Sequence, residues 1–357
     1  MSMPLMFRRS LMLQSLVLTA VLTAGCSNAT RINGGGASFI YPLMLMWTKV
    51  YDDQFHVQID YQSTGSGNGQ QQTIAKTIDF GCSDMPLSDA NLKKSEGTGN
   101  GIVHIPLVMG AVVPIYNIEG VGDDLRFSGE IIAGMYLGTI VYWDDPSIQS
   151  INTGVKLPHE KINLVRRADS SGTTAIFTDF LAKAAPNEWT GEMTGASPSW
   201  PKAVQIVGVR GNEGVAGFVL RTSNSFGYVE LIYARQNKLT CGTVKNRSGR
   251  FIQAGLETVT AAAESSHEEI LKEHPDLRYS LTNAPGENAY PISGTNWAIL
   301  CVKQPSHPGK ELVVFLRWAT KYGGEGQEYA RKLGYAPLPE WLTKEVGKKF
   351  DAIEFVD

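Results

Sequence analysis

Apolar and polar positions alternate through FHVQIDYQST (55–64) and again through KTIDFGCSD (76–84), which predicts two strands, the second ending in polar residues. Between them GNGQQQTIAK begins with glycines and predicts a short helix. Ahead of them GGGASFIYPLMLMWTKVYDD predicts a glycine turn, a small polar residue and a helix from about Pro42. Strand, turn, helix and strand in that order is an α/β pattern.

The most strand-like long stretches are IPLVMGAVVPIYNI (105–118) and AYPISGTNWAILCVK (289–303). They lie far apart in the chain and bracket a middle section, so they predict strands that leave one lobe and return to it. That section holds KINLVRRADSSGTTAIFTDFLA, another strand–turn–helix, and GNEGVAGFVLRTSNSFGYVELIYA, a glycine-rich turn and helix leading to a strand. Near the end, two helical segments flank Gly323 and Gly324, before a Pro-Leu-Pro stop. The pattern predicts two mixed sheets flanked by helices and joined by two crossover strands. A discontinuous first lobe takes 30–108 and 290–357, and a second lobe takes 109–289.

Composition narrows the function. The 357 residues suit about two domains, and 43% hydrophobic with 19% charged residues describes an ordinary folded chain. Net charge is −3 with no lysine-rich block, which argues against a nucleic-acid binder. Any bound anion must therefore be attracted locally, in a pocket.

The first residues read as an export signal. Arg8 and Arg9 precede an apolar run from Leu11 to Ala24 that is too short to span a membrane. Thr23, Ala24 and Gly25 ahead of Cys26 resemble a lipobox, so 1–26 is expected to be a lipoprotein-type signal, with Cys26 lipidated and the protein anchored in the cell envelope or periplasm. Cleavage after SNA, leaving Thr30 first, is the alternative. Cys82, Cys241 and Cys301 remain, so at most one bridge can form, and free thiols are the plainer reading. Their spacing fits no zinc site.

Three strand–turn–helix junctions share one chemistry: Ala37-Ser38-Phe39, Gly65-Ser66-Gly67 and Ser171-Gly172-Thr173. Each offers a hydroxyl and unpaired N–H groups at a positive helix end, which suits phosphate-like oxygens. Any one alone is explained by capping. Arg167 adds a planar fork that grips two oxygens, and Asp169 is placed to hold it. Asp84, at the end of GCSD, would repel an anion unless that anion carries a proton to donate. Hydrogen phosphate has one; sulfate at neutral pH has none. Opposing a bare oxygen with a buried carboxylate costs about 2–5 kcal/mol, so one acid can select between the two.

GGGASFIYPL, YQSTGSGNGQQQTIAKTIDFGCSDMPL, VRRADSSGTTAIFTDFL and GNEGVAGFV together resemble the signature segments of the PstS family, the phosphate-specific substrate-binding proteins of bacterial ABC importers. The similarity runs from about Asn33 to the C-terminal region. It implies the two-lobed periplasmic-binding-protein fold of type II. It also implies phosphate contacts from Ser38, Phe39, Ser66, Asp84, Arg167, Ser171, Gly172 and Thr173, with Phe39 acting through its N–H and Asp169 pairing with Arg167. The partners implied are inorganic phosphate and the permease subunits, with the membrane reached only through the lipid anchor. A monomer without cofactor, metal, nucleic acid or catalytic residues is implied as well. Ser38 replaces the usual threonine, Cys82 stands where alanine or serine is typical, and STGSGNG varies around Ser66. The INGGGAS opening also resembles DING-type secreted proteins, some linked to phosphatase activity, which keeps a hydrolytic alternative open.

Two rivals fit less well. YQSTGSGNGQQQ echoes a dinucleotide fingerprint, but Gln70 stands in place of the third glycine. For a phosphoesterase, the chain lacks a Gly-x-Ser-x-Gly elbow and its six histidines are scattered; His267 and His274 lie about 10 Å apart along a charged helix. The expected mechanism is closure of the lobes, bringing Ser38, Ser66 and Asp84 against Arg167, Ser171 and Thr173.

Overall fold

A computed structural model describes residues 30–357 except Asp124 and Ala203. The signal segment and Cys26 lie outside the described residues. Among the described residues nine strands form the main sheet. In chain order they are β1 (Arg31–Gly36), β2 (Gln58–Ser63), β3 (Phe80–Ser83), β4 (Ile102–Asn117), β5 (Asn163–Arg167), β6 (Ile206–Val209), β7 (Ser225–Glu230), β8 (Thr240–Cys241) and β9 (Ser293–Cys301). Across the sheet the order is β2-β1-β3-β9-β4-β7-β5-β6, with β8 also on β4. Pairing is parallel at β1–β2, β1–β3, β5–β6 and β5–β7, and antiparallel wherever β4 or β9 takes part.

The two expected sheets are the two halves of this path, and they share β4. That strand pairs with β9 over Ile102–Ala111 and then with β7 over Val112–Asn117. It is buried from Val103 to Tyr116, which is why its sequence is a continuous apolar run rather than an alternation. The bracket strand 289–303 resolves to β9, buried along its whole length.

Four helices matter for the site: α1 (Tyr41–Phe55), α2 (Ser66–Ile74), α3 (Gly172–Ala184) and α4 (Gly211–Arg221). Pro42 occupies the first turn of α1, where its missing N–H costs nothing, and His56 at φ 57° ends it. The helices Ser306–Thr320 and Glu325–Leu333 flank the Gly323-Gly324 break as expected.

The glycine turn expected at Gly34–Gly36 is instead the end of strand β1. A Cβ on Gly34 would lie 2.3 Å from the Phe80 ring, and one on Gly69 would lie 2.8 Å from Gly36 Cα. The glycines let Phe80 and α2 lie directly on the strand. Cys82, Cys241 and Cys301 are free thiols, with Cys82 and Cys301 buried. Among the described residues no helix is long and apolar enough to cross a membrane.

Candidate functional site

The residues singled out from the sequence follow the carboxyl ends of parallel strands, the edge where open α/β sheets receive ligands. Ser38 follows β1, Ser66 follows β2, Asp84 follows β3, and Arg167 ends β5 ahead of α3. Junctions far apart in sequence meet here. Gly67 N–H donates to the Ser170 carbonyl at 3.0 Å. A Cβ on Gly172 would lie 2.5 Å from Ser66 Oγ and 2.7 Å from Asp84 Oδ2. Ser38, Ser66, Asp84, Arg167, Ser171 and Thr173 are each at most 3% exposed. Their polar groups are therefore out of bulk water, where each hydrogen bond and charge counts for more.

Arg167 is fixed from one side. Its Nε donates to Asp169 Oδ1 at 2.8 Å and its Nη2 to Asp169 Oδ2, while Nη1 reaches Thr173 Oγ1 at 3.5 Å. Burial pushes the Asp169 carboxyl up, but the Arg167 hydrogen bond and charge, with the Gly211 N–H at 3.2 Å, hold it below the usual range. Asp169 is thus an ionised clamp that orients the guanidinium.

Asp84 is in the opposite situation. Burial pushes its carboxyl up to about 7, opposed by hydrogen bonds from Asn296, Ser66 and Thr173 and by the Arg167 charge. Asn296 Nδ2 donates to Oδ1 at 2.6 Å and Ser66 Oγ to Oδ2 at 3.4 Å. One carboxylate thus sits among donors, dry, with its proton affinity near neutrality.

The Ser171 and Ser38 hydroxyls are engaged at their oxygens, which leaves their protons free to donate. Ser171 Oγ accepts from Thr174 N–H at 3.1 Å as the cap of α3, and Ser38 Oγ accepts from Asn212 Nδ2 at 3.0 Å. The first N–H groups of α3, at Gly172 and Thr173, have no partner within the helix. The Phe39 ring is buried and packs on Tyr335 at 6.1 Å, whose hydroxyl donates to the Phe39 carbonyl at 2.6 Å.

Two residues of the cluster were not singled out from the sequence. Asn212 is fully buried and bridges junctions, its Nδ2 reaching Ser38 Oγ and, at 3.2 Å, Thr173 Oγ1. Its position in GNEGVAGFV, a glycine-rich turn and helix, is the signal that could have found it. Asn296 lies inside a buried strand and gave none. Tyr233 supports the first junction, donating to the Ser38 carbonyl at 2.6 Å. Among the described residues no group of three or more His, Cys, Asp or Glu side chains is placed to hold a metal ion.

Residues 23–321 match the family model described as the PBP superfamily domain. The chain is 40% identical to the phosphate-binding protein PstS of Xylella fastidiosa (strain Temecula1) over 90% of this chain and 85% of the relative. It is 37% identical to the protein of the same name from Pasteurella multocida, over 96% and 95%. Its fold matches that of a high-affinity periplasmic phosphate-binding protein, PfluDING, solved with bound phosphate. That match has a TM-score of 0.70 at 20% identity and covers 89% of this chain and 93% of the other. By its sequence, the chain belongs to the PstS family of phosphate-binding proteins within the PBP superfamily.

Proposed function

We propose that this protein captures inorganic phosphate in a cleft between two lobes outside the cytoplasm and delivers it to an ABC permease. The observation that carries the reading is the pairing of a dry Asp84 with a ring of donors around Arg167. Donors and a guanidinium attract an oxyanion, and the lone acceptor demands that it bring a proton. The phosphate ligands are Ser38, Phe39 N–H, Ser66, Asp84, Arg167, Ser171, Gly172 and Thr173, with Asp169 in support. The curated relatives carry the name phosphate-binding protein, which supports the same ligand.

The lobes divide at 108/109 and 289/290, with β4 and the segment that leads into β9 as the two crossovers. Rotation about them opens the cleft, and the closed form with its ligand is the one that docks on the permease. Each charge-assisted hydrogen bond contributes about 1.5–3 kcal/mol. Several of them support micromolar or tighter binding, about −8 kcal/mol, after ordering and desolvation are subtracted. The protein acts as a binding component and not as a catalyst, as a monomer held to the membrane by a lipid on Cys26.

Equilibrium dialysis of phosphate-stripped protein against radiolabelled orthophosphate tests this. One phosphate per chain, undisplaced by excess sulfate, is the expected result; no retention overturns it. Turnover of a chromogenic phosphate ester that disappears in Arg167→Ala would instead establish the hydrolytic alternative.

A further inference from the structure

The two oxygens of Asp84 face different surroundings. Oδ2 points toward Ser66 and the start of α3, among the donors. Oδ1 is taken by Asn296 Nδ2 at 2.6 Å, from a strand that contributes no other group to the anion-facing turns. Asn296 is fully buried, and the register of β9 against β4 shifts between Asn296 and Trp297, which pair with Val108 and Pro106. Pro106 has no N–H for the ladder, and such irregularities re-aim side chains beside functional sites. The carbonyl oxygen of Asn296 is buried without a hydrogen-bond partner. That arrangement is costly, and a leucine at this position would not carry it. The amide N–H rather than its oxygen faces Asp84, the arrangement that favours the ionised carboxylate, which only accepts.

We propose that Asn296 is a specificity-determining residue of the oxyanion site: by donating to Oδ1 it keeps Asp84 an acceptor and so excludes anions that bring no proton. The proposal rests on the phosphate reading above. A protonated Asp84 would donate to a bare oxygen and admit sulfate. Asn296 is the foremost of the influences that oppose the upward push of burial on Asp84, ahead of Arg167, Ser66 and Thr173. The other groups around Asp84 are held neutral. Burial pushes up the Tyr61, Tyr233 and Tyr335 hydroxyls and the Cys82 thiol, and pushes the Glu230 carboxyl well above its usual range. Arg167, clamped by Asp169, is the full charge that faces it. Asp179, Lys183, Glu269, His274 and Arg278 line the cavity that borders Asp84 on its other side. None of these is altered by a substitution at 296, so a comparison of variants isolates the amide.

The test is titration calorimetry of sulfate and phosphate across pH. In the parent protein, sulfate affinity rises about tenfold for each unit of falling pH as Asp84 takes up its proton. In Asn296→Leu the whole profile moves upward by about one to two pH units, so sulfate binds about ten- to a hundredfold tighter at mildly alkaline pH. Asn296→Thr, which restores a donor, returns the profile toward the parent. An unshifted sulfate profile in Asn296→Leu overturns the assignment. Should that variant not fold, the unmodified protein decides by NMR. The side-chain amide signals of Asn296 are expected to titrate with the same midpoint as sulfate binding, and signals that stay fixed overturn the assignment. Absence of phosphate binding in the parent contradicts the phosphate reading itself; phosphate binding with an unmoved sulfate profile contradicts only the role of Asn296.

Discussion

Asp84→Asn removes the one charge that the site resists. Burial lifts this carboxyl from its ordinary 3.8 to about 7, and a shift of about three units corresponds to about 4 kcal/mol of destabilisation by the ionised form. The figure is an upper limit, because opening of the cleft returns water to the carboxylate. The sign follows from proton binding: a folded-state pKa above the unfolded value makes the native state the better proton acceptor. Its stability is therefore full below about pH 4 and is lost as pH rises through about 7. The asparagine carries no such charge. Urea unfolding of phosphate-stripped protein, run at a series of pH values, should show the variant gaining on the parent from about pH 4 upward and levelling off above about 7. A stability difference that is flat across this range would mean that Asp84 is solvated in the native protein, and the argument for a proton-reading acceptor would fail.

Arg167→Ala removes at least two charge-assisted donors, about 3–6 kcal/mol, and should weaken phosphate binding by more than about a hundredfold in calorimetry. Gly172→Ala places a Cβ 2.5 Å from Ser66 Oγ and 2.6 Å from Asp84 Cβ. It should leave the ligand-free melting temperature unchanged while weakening phosphate by about five- to a hundredfold through blocked closure; unchanged affinity would mean that these junctions do not meet around the ligand. Asp169→Asn strips the buried guanidinium of its ion pair and should cost about 3 kcal/mol of stability in urea unfolding of the ligand-free protein. Saturating phosphate, which supplies a replacement anion, should shrink that deficit, and a deficit indifferent to phosphate would separate Arg167 from the ligand.

The parts of the fold legible in the sequence are those where local pattern and tertiary role agree. The strand–turn–helix units around Ser66 and Ser171 carry their glycines, and the second its serine cap, within a few residues, and β4 announces its burial by an unbroken apolar run. Gly34–Gly36 reads as a turn because the reasons for glycine there lie elsewhere in the chain: the Phe80 ring presses on Gly34, and Gly36, at φ 131°, lies against Cys82 and Gly69. The same distance hides Asn296. Its partner Asp84 is 212 residues away, and an asparagine inside a buried strand carries no local mark of that bond. Asn212 was visible in a glycine-rich turn, but its reach to Ser38 and Thr173 depends on how α4 faces the other junctions. Propensity and capping reveal which turns hold donors; only the packed structure reveals which side chains tune them.

The central claim is that a dry cluster of donors closes around an oxyanion that must bring its own proton. Calorimetry of phosphate-stripped protein at mildly alkaline pH, titrated first with orthophosphate and then with sulfate, tests it most directly. The account predicts one phosphate bound per chain with micromolar or tighter affinity, about −8 kcal/mol or better, and no measurable heat from sulfate. Silence with phosphate, or equal binding of the two anions, would contradict it.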